Sequence, residues 1–249
     1  MPAPTRPSPP LRGLFVAGSD TAVGKTVVST GILRLAVQQG LPALPYKPAE
    51  SGVSNPASSD AARLREAARR PDLPLAAICP FPLRPALAPA AAGLRAPLAA
   101  LVRGAHRLHS QQGSPLLVES AGGLLSPYTL TFTSADLAVA LRLPVLLVAR
   151  NTLGTINHTA LSVEAIRARR LNLVGILLVD TERGTAARHL QNSSLIRRVT
   201  GITPLGRLPF LSKTHPDHVA QTLRRLGLAG PLLHPFRVPR SRGRRARPA

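Results

Sequence analysis

The chain has no tryptophan, one cysteine, one methionine and three lysines, and only 3% of its residues are aromatic. With Cys79 alone, no intrachain disulfide can form, and a reducing, cytoplasmic setting is the expectation. No apolar run approaches the roughly 18 residues that cross a bilayer, so no membrane association is expected. Met1 to Pro10 is rich in proline and lacks the apolar stretch of a secretory signal. Acidic residues are also scarce: 11 against 32 basic ones, for a net charge of +21. Such a charge would suit a nucleic acid. The scarcity of aromatics argues against that partner, because few rings are present to stack on bases. The excess is almost all arginine, with lysine only at positions 25, 47 and 213. Arginine on surfaces, with lysine kept where a compact amine is needed, accounts for the pattern without a polyanionic partner.

What is present is regular. Apolar runs alternate with helix-like runs along the 249 residues. Strands are predicted at Leu14–Ala17, Ala43–Tyr46, Leu116–Glu119, Val145–Ala149, Val174–Val179 and Pro204–Leu208. Helices are predicted at Lys25–Gln39, Ser59–Arg69, Pro97–His109, Ser134–Leu141, Thr155–Arg169, Thr185–Val199 and His215–Leu226. The strands are continuously apolar, as in a parallel sheet covered on both faces. The expected fold is therefore α/β: one doubly wound, mostly parallel sheet in a three-layer sandwich. Residues 1–11 read as a disordered proline-rich lead and residues 12–230 as the domain. Residues 231–249 read as a disordered basic tail, with the run Arg237 to Arg247 the densest in charge. The segment Phe81–Pro97, dominated by Ala and Pro, reads as a loop.

Chemistry gathers where strands end. Gly18-Ser19-Asp20-Thr21-Ala22-Val23-Gly24-Lys25-Thr26 follows the first strand and opens the first helix. A strand, a glycine-bounded loop and Gly-Lys-Thr at a helix start form a phosphate-binding loop, as in other P-loop NTPases. Its N–H groups face the anion, Lys25 reaches the outer phosphates and the Thr26 hydroxyl serves Mg²⁺. Lys47 ends the second strand, before Pro48, Glu50, Ser51 and Gly52, placed to stabilise charge on a transferring phosphoryl group. Asp60 is either a first-turn residue favoured by the helix dipole or a Mg²⁺ ligand. Glu119 ends an apolar strand before Gly122 and Gly123, the position of a second Mg²⁺-site carboxylate. Asn157 falls in the first turn of a helix, where it also suits capping, and His158 reads as structural.

Together these segments closely resemble the dethiobiotin synthetases, ATP-dependent enzymes of biotin synthesis. The matching elements are the phosphate loop, Tyr46-Lys47-Pro48 with Ser51-Gly52, Asp60, Glu119-x-Ala121-Gly122-Gly123, Thr131-Phe132-x-x-Ala135-Asp136 and Gly154-x-Ile156-Asn157-His158. They occur in the family's order over roughly residues 13 to 211. The resemblance implies closure of a ureido ring from 7,8-diaminononanoate and CO₂ or bicarbonate with MgATP, by way of a carbamate and a carbamic-phosphoric anhydride. It implies Lys25 and Lys47 as catalytic, and Thr26, Asp60 and Glu119 as holding Mg²⁺. It implies nucleotide contacts from Asp20 to Val27, Asp60, Glu119 to Gly122, Val179, Asp180 and the loop Pro209-Phe210-Leu211. Ser51 would contact the substrate. Asn157 would reach the substrate of the facing subunit in a homodimer.

Three positions depart from the pattern. Ala22 stands where well-known members carry glutamate. Val179 stands where asparagine commonly reads the adenine edge, which implies weaker base discrimination, with Asp180 as a partial substitute. Ala90 follows Pro89 without a polar side chain. Two alternatives remain at this stage: a ParA- or MinD-like ATPase switch, and a degenerate nucleotide-binding subunit.

Overall fold

The computed structural model describes residues 10–184 and 189–237. Strands β1 (Gly13–Gly18), β2 (Leu44–Tyr46), β5 (Leu116–Gly123), β6 (Val145–Arg150), β7 (Leu173–Val179) and β8 (Gly206–Leu208) form one sheet in the order β2-β5-β1-β6-β7-β8. Each neighbouring pair is parallel, so every connection must cross a face of the sheet. The helices in these crossings are α1 (Lys25–Gln38), α2 (Asp60–Ala67), α4 (Leu98–Gln112), α5 (Ser134–Leu141), α6 (Thr155–Ala168) and α7 (Asn192–Thr200), and α8 (Pro216–Arg225) follows the last strand.

Alternate residues of each central strand enter opposite cores, which explains their unbroken apolar character. Phe15 and Ala17 of β1 pack with α4, α5 and α6 through Leu101, Leu137 and Val163. Leu14 and Val16 pack on the other face with α1 and α8 through Val28, Ile32 and Val219. The doubly wound sheet expected from the sequence is present. Among the described residues, no helix is long and apolar enough to cross a membrane.

The differences lie in short elements. Phe81–Leu83, inside the segment read as loop, is a strand (β4) paired in parallel with β3 (Ala49–Ser51). Three residues, one of them Pro82, are too few to show a period, and proline is tolerated because the two-stranded sheet is all edge. A short helix, α3 (Leu75–Ile78), was likewise not foreseen. The predicted helix Thr185–Val199 begins in the described residues only at Asn192, and 185–188 lie outside them.

The predicted domain boundaries also shift. Leu11, assigned to the disordered lead, packs partly buried against the core. Residues 231–237, read as the start of the basic tail, close the core instead. Helix α9 (Ala229–Leu233) and the turn after it bury Leu232, Leu233 and Phe236 completely against the α1 side. The arginines that follow in sequence masked three apolar residues at this point. Residues 238–249 lie outside those described. Phe236→Ala is therefore expected to destabilise the domain by about 3–5 kcal/mol, the cost of emptying a buried aromatic site. A urea unfolding midpoint equal to that of the parent chain would return this segment to the tail.

Candidate active site

The carboxyl ends of β1, β2 and β5 meet at the N-terminus of α1, and the predicted phosphate loop lies there. Gly24 precedes α1 with φ 96°, a backbone region that favours glycine. A Cβ at Gly24 would also come within 2.9 Å of Val179 Cγ1. The loop thus sits directly on the end of β7. Lys25, buried to 7% exposure, donates from Nζ to the Asp20 carbonyl at 3.2 Å.

Lys47 joins the acidic residues. Its Nζ donates to Glu119 Oε1 at 2.5 Å and to Asp60 Oδ2 at 3.0 Å. The Thr26 hydroxyl donates to the same Glu119 oxygen at 2.8 Å. Glu119 is fully buried on β5, and its Oε2 has no hydrogen-bond partner. A buried carboxylate oxygen without a partner is costly unless a cation or donor arrives. Thr26, Asp60 and Glu119 are oxygen donors of the kind Mg²⁺ prefers. Among the described residues, no cluster of three or more His, Cys, Asp or Glu could hold a metal by itself. Nucleotide phosphates would have to complete the shell, as is usual for Mg²⁺.

The charges set each other's titration. Burial and then the Lys47 ammonium pull the Lys25 pKa down to about 8, against the partial opposition of Glu119 and Asp60. Burial also works against charge on Lys47, but Glu119 and Asp60 outweigh it and hold the ammonium well above the ordinary lysine range. For Asp60, burial pushes the carboxyl up, yet Lys47, with the Thr26 hydroxyl and Arg63, outweighs it and holds Asp60 below the usual carboxylate range.

Two acidic and hydroxyl contacts were not read from the sequence. Glu50, on β3, accepts from the Asp60 and Ala61 N–H groups at 2.6 and 3.1 Å and so seats the start of α2. Its burial pushes its own carboxyl up. The Tyr128 hydroxyl accepts from the Ala121 N–H at 2.9 Å, steadying the end of β5 after Glu119. Glu50 lay within the quoted Lys47 segment, but no local period pointed it at a helix ten residues on. Arg63, one turn into α2, also lines the site, 3.8 Å from Asp60 Oδ1.

These groups border a cavity of about 570 Å³. Thr21, Ala22, Gly24, Lys25, Thr26 and Val27 line one side; Lys47, Ser51, Asp60, Glu119, Ala121 and Gly122 line another. The Ser51 hydroxyl is buried without a partner. Asp20 is exposed, and its Oδ1 accepts from the Thr21 N–H at 2.7 Å. Val23 and Ser120 are buried and are not among the lining residues.

A separate cavity of about 380 Å³ lies beyond β7 and β8, lined by Asp180, Arg183, Pro209 and Phe210 among others. The Arg183 guanidinium stands 5.8 Å from the Phe210 ring centre. Asp180 accepts from Asn151 at 2.7 Å and faces Arg207 at 3.7 Å. Val179 is buried in the core, and Leu211 packs partly buried against it. Asn157 is exposed in the first turn of α6 and lines neither cavity.

Comparison with known proteins places the chain in a family. A family model described as an AAA domain matches residues 12–218. The ATP-dependent dethiobiotin synthetase BioD of Anaeromyxobacter dehalogenans strain 2CP-1 is 47% identical over 221 residues, spanning 87% of this chain and 96% of the relative. The chain belongs to the ATP-dependent dethiobiotin synthetase family. The Bacillus cereus strain B4264 member is 36% identical over 207 residues, spanning 81% of this chain and 85% of the relative. A solved MinC:MinD cell division protein complex from Aquifex aeolicus matches with a TM-score of 0.54 at 13% identity, over 87% of this chain and 96% of that one. At that identity the likeness concerns the fold alone. Family membership therefore weighs against the switch alternative.

Proposed function

We propose that this chain closes the ureido ring of dethiobiotin from 7,8-diaminononanoate and CO₂, with ATP as phosphoryl donor. The observation that carries the reading is Lys47, shared between Glu119 and Asp60 beside Thr26 and Lys25 in one cavity. A phosphate loop alone would suit many nucleotide-binding proteins. A second buried lysine aimed at the same place suits an acceptor that is itself an anion.

In this reading one substrate amine adds to CO₂, forming a C–N bond and releasing a proton to give a carbamate. A carbamate oxygen attacks the γ-phosphorus, the bond to the β-phosphate oxygen breaks and ADP leaves. The second amine attacks the carbonyl carbon of the resulting anhydride, phosphate departs and the ring closes. Lys25 and Lys47 hold the oxygens on which negative charge gathers, which lowers the barrier by fixed electrostatics. Thr26, Asp60 and Glu119 would hold Mg²⁺, and a bound Mg²⁺ supplies charge neutralisation at the β- and γ-phosphate oxygens. Ser51, with a buried hydroxyl and no partner, is suited to a substrate amine or carbamate.

A homodimer completes the reading. Asn157 is exposed, and Leu153 just before it is 89% exposed, an apolar side chain at the place where a facing subunit would meet it. The cavity beside Pro209 and Phe210 would take the nucleobase. There the Val179 side chain is turned to the core, which supports loose base selection. The values of kcat/KM for ATP, GTP and CTP are expected to fall within about a hundredfold of one another. A stricter preference for ATP would contradict this.

The deciding experiment measures phosphate release from MgATP with and without 7,8-diaminononanoate and bicarbonate, together with the product mass. Diamine-dependent release, with a product heavier by one carbonyl less two hydrogens, is expected. Nucleotide binding with no diamine-dependent release would favour a degenerate subunit.

A further inference from the structure

Ala22 is a non-glycine residue of the phosphate loop in the left-handed backbone region, with φ 55°. Alanine rarely visits that region unless its surroundings hold it there. The side chains of the loop offer little to do so. Asp20 turns its carboxylate to the adjacent Thr21 N–H, and Ala22 has only a methyl group.

The hold comes from a different strand. Arg150 is the last residue of β6, which runs beside β1 with Val148 opposite Gly18. Its Nη2 donates to the Ala22 carbonyl at 3.3 Å and to the Thr21 carbonyl at 3.5 Å. These oxygens lie on either side of the positive-φ residue. The preceding carbonyl, of Asp20, is held by Lys25. Three consecutive loop carbonyls are thus engaged by two cations. Lys25 must leave its carbonyl to meet a phosphate, and Arg150 then remains as the tether. The Arg150 guanidinium is turned to the loop.

We propose that Arg150 is a positioning residue for nucleotide binding, pinning the Thr21 and Ala22 carbonyls so that the loop presents its N–H groups to phosphate. Both contacts come from Nη2, whose two N–H groups are fixed in the guanidinium plane, a geometry that a freely rotating ammonium does not hold. The inference rests on reading the loop as the nucleotide site.

The test compares Arg150→Met, Ala22→Gly and the double variant. It uses calorimetric binding of a non-hydrolysable ATP analogue with Mg²⁺, and steady-state kinetics. R150M is expected to weaken binding and raise KM for ATP about tenfold, with kcat within about twofold, since uniform binding rather than the chemical step is lost. A22G alone, measured in the parent chain, gives the reference for the effect of a glycine in the loop. In the R150M background it should recover at least about threefold, because glycine adopts the positive φ unaided. R150K is expected to fall between the parent and R150M. R150M binding like the parent, or A22G acting equally in both backgrounds, would overturn the proposal while leaving the enzymatic reading intact. A parent chain that fails to bind the analogue would overturn both. Should R150M not fold, R150K and its double with A22G give the same comparison.

Discussion

Replacing Lys47 by methionine is expected to lower kcat/KM by at least about a thousandfold, a size set by losing a fixed charge at the transferring group. The same change should cost stability. Glu119 is fully buried, and Lys47 is its charged partner at 2.5 Å. Removing one member of a buried pair leaves an uncompensated charge and costs about 3–5 kcal/mol. The two effects separate in a second variant. In the double change Lys47→Met with Glu119→Gln, the orphaned charge is gone. Much of the lost stability should return while activity stays absent. The measurements are chemical denaturation midpoints and steady-state turnover on all three proteins. A single variant as stable as the parent would mean that water or another group satisfies Glu119. Turnover near that of the parent would remove Lys47 from the chemistry altogether.

The second large effect concerns Lys25. Burial first, and then its neighbour Lys47, pull its pKa down to about 8. The free protein therefore loses the Lys25 charge at pH values where an ordinary lysine, near 10.4, keeps it. The ratio kcat/KM for ATP reports the free enzyme. It should be level below pH 8 and fall above it by up to about tenfold per unit. Lys25→Arg keeps its charge through this window and should abolish the decline, at a lower plateau because guanidinium geometry differs from ammonium. Lys25→Met should lose roughly a hundredfold to a thousandfold at every pH, as when one stabilising donor is removed.

Stability follows the same group with a definite sign. Between pH 8 and 10.5 the unfolded chain keeps a proton on Lys25 that the folded chain has released. The unfolded state binds more protons, so the contribution of Lys25 makes stability rise with pH across that window. K25M should lack this rise. A pH profile shared by K25M and the parent would assign the titration to another group.

The parts of the fold that could be read in advance are those with a local cause. Continuous apolar strands announce a two-sided sheet because alternate side chains must enter both cores, as Leu14 and Phe15 do. Helix α5 was legible at its start, where Thr133 and Asp136 form a reciprocal cap. The elements that were missed are three to five residues long, β3, β4, α3 and α9, too short for any period to develop. Their stability comes from packing, so their existence depends on what surrounds them.

By itself, the amino-acid sequence determined where the strands and helices lie, that the sheet is doubly wound, and that a phosphate loop stands at Gly18 to Thr26. Each of these follows from chemistry between near neighbours in the chain. Only the tertiary structure decided that Lys47 meets Glu119, 72 residues on. It likewise decided that Glu50 seats α2, that Arg150 holds the loop from another strand, and that Phe236 closes the core. These are contacts between distant segments, and nothing in local spacing selects one distant partner over another. The selection is made by strand order, which brings β5 and β6 to either side of β1 and places their last residues around one loop.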